Sequence, residues 1–164
     1  MKKHIDNYKH LVVYYVHQGN QHERSDKMTD FMNRLKLARQ SELEIQTNLE
    51  HIERLHRIMK LPKRSLRYSQ ELADKLAALE TRLNGLIDEA VNRKNEALNL
   101  LDALSGDERT VLYQYYILAK DWQKISEELY MSERTVYNLR KKAVEKLAAR
   151  YLKPVQAADR AAGE

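Results

Sequence analysis

"DWQKISEELYMSERTVYNLRKKA", residues 121–143, decides how this chain is read. Asp121 and Ser132 each carry a short side-chain oxygen that can accept from the free N–H groups of a first helical turn. After Asp121, Trp122, Ile125 and Leu129 recur at three- and four-residue spacing; after Ser132, so do Val136, Leu139, Ala143, Val144 and Leu147. The stretch therefore predicts a short helix, a tight corner at Tyr130 and a longer helix over 132–150. Upstream, "DERTVLYQYYILAK" turns Val111, Leu112, Tyr115, Tyr116 and Leu118 toward an interior. Three helices of these lengths, joined by short corners, make a helix-turn-helix unit spanning 105–152, with a flexible tail at 153–164.

Just before it, "LSGDE" at 104–108 closes a different kind of segment. Ser105 and Gly106 stop a helix, and Asp107-Glu108 suit the first turn of the next. Over 66–104 a stripe runs through Leu72, Leu76, Leu79, Leu83, Leu86, Ala90, Arg93, Ala97, Leu100 and Leu104, apolar at nine of ten positions. It passes Asn84-Gly85 without a change of phase, so one helix is expected there. A matching stripe over about 22–61 uses Met28, Phe31, Leu35, Ala38, Glu42, Ile45, Leu49, Ile52, His56 and Met59, with eight apolar. "LPKRS" at 61–65 separates the two, because Pro62 disfavours helix in the residue before it. Residues 21–104 thus read as a long helical arm, either a hairpin within one chain or a coiled coil between chains. His56 is expected as a tolerated polar position on the seam. Residues 1–20 read as a short amphipathic helix with Ile5, Tyr8, Val12, Tyr15 and Val16 on one face, stopped by Gly19-Asn20. The fold class is all-α: four glycines and two prolines in 164 residues leave long helices uninterrupted.

Composition excludes several classes of function. With no cysteine there are no disulfides, thiolate zinc sites or cysteine nucleophiles, which suits a reducing, cytoplasmic setting. No signal peptide or membrane span is legible. His4, His10 and His17, or His51 and His56, lack the spacing of a metal-binding helix, and no carboxylates cluster with them. There is no phosphate-cradling glycine loop, no nucleophile elbow and no framed carboxylate pair, so neither an enzyme nor a cofactor is expected. Tyr113, Tyr115 and Tyr116 read as core and rim rather than a base-stacking platform.

Charge points elsewhere. Net charge is +5, and the segment 132–153 alone holds seven Lys/Arg against Glu133 and Glu145. Removing the inward residues of its helix leaves Glu133, Arg134, Thr135, Tyr137, Asn138, Arg140, Lys141 and Lys142. Arg and Asn can pair bidentately with guanine and adenine edges, while Lys, Thr and Tyr reach phosphates. Ser132 sits where a helix N-terminus can meet a phosphate. Double-stranded DNA is the partner this chemistry fits.

Residues 104–147 resemble region 4 of the bacterial sigma-70 family, which binds the −35 promoter element. The match rests on Leu104-Ser105, Glu108-Arg109, Val111-Leu112, Tyr116, Ile125, Glu127-Glu128-Leu129, Ser132, Thr135-Val136, Ala143 and Lys146-Leu147. A region-4-like unit behind a helical half is also similar to ArpU/RinA-type phage late-gene regulators. The resemblance implies base or backbone contacts from Glu133, Arg134, Tyr137, Asn138 and Lys141, and phosphate contacts near Trp122, Gln123 and Ser132. RNA polymerase is a further partner in keeping with the resemblance, and Glu127-Glu128 lie on a helix surface, either solvated or facing it. Two residues depart from the pattern. Ser126 replaces an alanine, which a small residue tolerates. Tyr130 replaces the corner glycine; a bulky residue is unfavourable at positive φ, so a less sharp corner is expected, with the ring against Tyr116 or Met131. Regions 2 and 3 have no counterpart in this sequence, so promoter melting is not implied.

Three functions remain open at this point. The first is a phage- or prophage-type transcription regulator that reads DNA with 121–143 and forms a homo-oligomer, a dimer by preference, through the arm. The second is a small-terminase-like DNA-packaging subunit. The third is a sigma- or RNA-polymerase-binding interaction protein. The C-terminal placement and region-4 character of the helix-turn-helix favour the first.

Overall fold

The computed structural model describes residues 21–61 and 66–151. The helix expected within 1–20 and the tail at 153–164 lie outside the described residues. The fold is all-α, with five helices and no strand among the described residues. Helix α1 spans Gln21–Met59 and α2 spans Leu66–Leu101. Helices α3 (Gly106–Tyr116), α4 (Trp122–Glu128) and α5 (Glu133–Tyr151) follow.

Helices α1 and α2 pair within the chain as an antiparallel hairpin. Ser41 meets Arg93 and Glu42 meets Lys94, whereas farther along α1 His56 approaches Glu80. With 39 residues, α1 is about 60 Å long at ~1.5 Å per residue. The one interruption in the α2 stripe, Arg93, and the first in the α1 stripe, Glu42, lie at the same level. Arg93 donates to the buried Ser41 hydroxyl (2.8 Å), and Glu42 accepts from Lys94. Such a polar layer sets register, because sliding the helices would bury these charges against leucine.

The α2 stripe faces inward throughout, and the helix runs unbroken through Gly85. The α1 stripe does so continuously at its base and beyond it only in part, with Ile52 buried. Met28, Phe31, Leu35 and Ala38 are buried, but Leu49 is 45% exposed and Met59 39% exposed. His56 is not a seam residue: its side chain is half exposed, and Leu55 is buried in its place. The cause is a change of neighbours. At its base α1 packs against α2, α3 and α5 together, so the buried face is broad and includes Met32. Toward the hairpin tip α2 is the main neighbour, and the face turns toward it.

One apolar cluster joins arm and C-terminal helices. It combines Phe31 and Leu35 of α1, Leu101 of α2, Leu112 and Tyr116 of α3, and Val144 and Leu147 of α5. Phe31 also stacks on Tyr151, with ring centroids 6.3 Å apart. Burial pushes the Tyr116 hydroxyl well above its ordinary pKa, and the neighbouring Tyr115 adds to the shift. A smaller cluster of Val111, Ile125 and Val136 holds α3, α4 and α5 together. Leu118, expected inside, is 38% exposed; Ile117 takes the interior position instead. The chain leaves α3 just before Leu118, so helical phase no longer governs which way it points.

Candidate nucleic-acid interface

The short helix α4 begins where its cap says it should. Asp121 Oδ1 accepts from the Lys124 amide at 2.7 Å. At its other end the Met131 amide reaches back to the Ser126 carbonyl (3.0 Å) and the Tyr130 amide to the Glu127 carbonyl (3.3 Å). That pair of bonds is a Schellman ending, which requires a left-handed residue at the position Tyr130 occupies. Tyr130 takes it, with φ 53°. The expectation of a gentler corner is thereby corrected, as is that of a packed ring: the side chain is 97% exposed. Pointing into solvent, the ring meets no steric penalty beyond its own backbone strain, and the two hydrogen bonds hold the turn.

Helix α5 starts on Ser132, whose hydroxyl accepts from the Thr135 amide at 3.1 Å and lies 2.8 Å from the Thr135 hydroxyl. The earliest amides of the helix remain directed outward, the arrangement that receives an anion. Val136, Ala143, Val144, Leu147 and Ala148 are buried, so the opposite face of α5 is the free one. It carries Arg134, Asn138, Lys141 and Lys142, all exposed. Spacings of four, seven and eight residues from Arg134 align them on one side of the helix. Glu133 and Thr135 are exposed at its start, and Gln123 and Lys124 are exposed on α4. Lys124 was not singled out from the sequence, although its place beside Gln123 could have suggested it.

Three of the residues read from the sequence sit differently. Trp122, Tyr137 and Arg140 are half-buried in an aromatic layer between α3, α4 and α5. Trp122 stacks on Tyr115 at 3.8 Å with 9° between the rings, and Tyr137 lies 5.6 Å from Trp122. The Arg140 guanidinium lies 5.1 Å from the Trp122 ring centre. Burial holds Arg140 below its ordinary pKa, and burial followed by Glu133 raises that of Tyr137. Arg140 is four residues from both Val136 and Val144, a spacing that marks it as belonging to the packed face. The structure thus separates it from the outward row of Arg134, Asn138, Lys141 and Lys142.

The layer extends back to the arm. Arg39 of α1 lies over the Tyr115 ring, 4.1 Å from its centre, and donates to the carbonyls of Tyr115 (2.7 Å) and Lys120 (2.9 Å). Those carbonyls belong to the end of α3 and the loop before α4.

No helix among the described residues is long and apolar enough to cross a membrane. No group of three or more metal-ligating side chains is found among the described residues. No curated protein and no solved structure matches the chain. A family model does match: residues 94–147 fit "Sigma-70, region 4", beginning in the last turns of α2 that share the core with α3 and α5. The C-terminal part of this chain is therefore similar to the sigma-70 region 4 family of DNA-binding helix-turn-helix domains.

Proposed function

We propose that the protein is a sequence-specific transcription regulator of the phage or prophage type, similar to the ArpU/RinA late-gene regulators. It reads promoter DNA with α5. The observation that carries this reading is the outward row of Arg134, Asn138, Lys141 and Lys142 on the second helix of a region 4 unit. Arg134 and Asn138 approach base edges; Lys141, Lys142, Gln123 and the Ser132 end of α5 meet phosphates, with Glu133, Thr135, Trp122, Tyr137 and Arg140 at the margin or behind. RNA polymerase is the second partner, in keeping with the family.

A dimer formed through the arm would place two such units on paired half-sites. Exposed Leu43, Leu49, Ile87 and Val91 support the arm as the surface where a second copy packs. The protein is not proposed to be an enzyme.

Selection of genomic fragments bound by the purified protein, followed by sequencing, tests the reading. A shared motif is expected. Arg134→Ala and Asn138→Ala should each cost about 1–3 kcal/mol at one position of it, whereas Lys142→Ala weakens all DNA alike and lowers the salt dependence. Enrichment of no common sequence refutes the reading. Large rings in light scattering would point instead to a packaging subunit, and polymerase binding without DNA to an interaction protein.

A further inference from the structure

We propose that Arg39, a residue of the arm, is a positioning residue for DNA reading: it fixes the angle at which α5 is presented. The inference rests on the DNA-reading function above and adds to it a part of the chain that lies outside the region 4 match at 94–147.

The last carbonyls of any helix have no partner inside it. In α3, Tyr113 O accepts from Ile117 and Leu118, and Gln114 O accepts from Lys120. Tyr115 O accepts from Arg39 Nη1, across 76 residues of chain. The same nitrogen donates to Lys120 O, so one guanidinium spans both sides of the α3–α4 connection. That connection contains Ala119 at φ 54°, a left-handed residue without glycine's freedom, and it needs holding. Lys120 is further tied to Glu128 at the far end of α4.

The second function of the guanidinium is its flat face. It lies over Tyr115, Tyr115 stacks on Trp122, and Trp122 contacts Tyr137 and Arg140 of α5. Each layer rests on the next, from α1 to the reading helix, where Tyr137 immediately precedes the exposed Asn138. A planar fork that donates in its plane while stacking on its face is specific to arginine; a lysine supplies a point charge only. A reading helix must be held within about 0.5 Å and 10–20° to keep bidentate contacts in register. Phosphate contacts tolerate more. Losing Arg39 therefore damages discrimination rather than DNA binding in general.

The test uses the full chain with Arg39→Ala and Arg39→Lys, the selected site and an unrelated duplex. The chain has one tryptophan, Trp122, so its fluorescence and near-ultraviolet dichroism report the stack directly. Arg39→Ala is expected to lower affinity for the selected site roughly tenfold. Binding to the unrelated duplex and the salt dependence should stay unchanged, and the Trp122 signal should shift. Arg39→Lys should recover little of either. A folded Arg39→Ala protein with the original Trp122 signal and the original preference overturns the proposal. So does a variant that only melts earlier while its preference stays intact. A wild-type protein with no sequence preference would sink the DNA-reading function itself, a result distinct from an unchanged Trp122 signal, which removes the Arg39 bracket alone.

Discussion

Replacing Leu35 with alanine asks whether the arm and the C-terminal unit melt as one body. Leu35 lies on α1 and is 0% exposed, within the cluster that also contains Leu112, Tyr116, Val144 and Leu147. The substitution removes three buried carbon groups, about 2.4 kcal/mol at ~0.8 kcal/mol each. The cavity left among helices from both halves raises the loss to about 3–4 kcal/mol. For a chain of this size that is a fall of roughly 6–16 °C in Tm. The assay is thermal unfolding followed in one sample by far-ultraviolet dichroism, which is weighted toward α1 and α2, and by fluorescence of Trp122, which lies within the helix-turn-helix. Both midpoints should fall together, because the cavity opens in a shared core. Leu37→Ala, at a position 41% exposed on the same helix, should cost under about 1 kcal/mol. If the Trp122 midpoint stays in place while the helical signal moves, the two parts fold independently and the reasoning fails.

Three other substitutions follow from the same packing. Gly85→Ala should stabilise α2 by about 0.5–1 kcal/mol, since an added Cβ at Gly85 meets nothing within 4 Å; a lower urea midpoint would contradict this. Tyr130→Gly relieves left-handed strain of about 1–2 kcal/mol but adds freedom to the unfolded chain, for a net gain of up to about 1 kcal/mol. A clear loss of stability in calorimetry would show that the exposed ring holds the corner after all. Leu83→Asp sets an unpaired charge into the hairpin seam at a position 8% exposed and should cost about 3–5 kcal/mol. Unchanged helix content and mass after that substitution would mean Leu83 is not in a buried seam.

Much of the fold is written locally. The α2 stripe keeps one phase because α2 presents one face to α1 along its whole length. Asp121 and Ser132 announce the starts of α4 and α5, since a cap is an interaction over three residues and needs no distant partner. The excess positive charge after Ser132 is likewise a property of a single segment. Where the neighbours change, local reading slips. His56 and Leu49 were in phase with the base of α1, but the base is surrounded by three helices and the tip is not. Arg140 looked like part of a basic run, yet its spacing from Val136 and Val144 carries it to the packed side.

By itself, then, the sequence determined an all-α chain, a long two-helix arm, a region-4-like helix-turn-helix and the helix that bears its charge. These follow from periodicity, caps and composition, each of which acts within a few residues. Only the tertiary structure decided that the two stripes pair with each other, that Tyr130 stands exposed at positive φ, and that Arg39 completes the end of α3 from 76 residues away. A helical stripe specifies a face but not what covers it, and an arginine's partners depend on which carbonyls the assembled helices bring within reach.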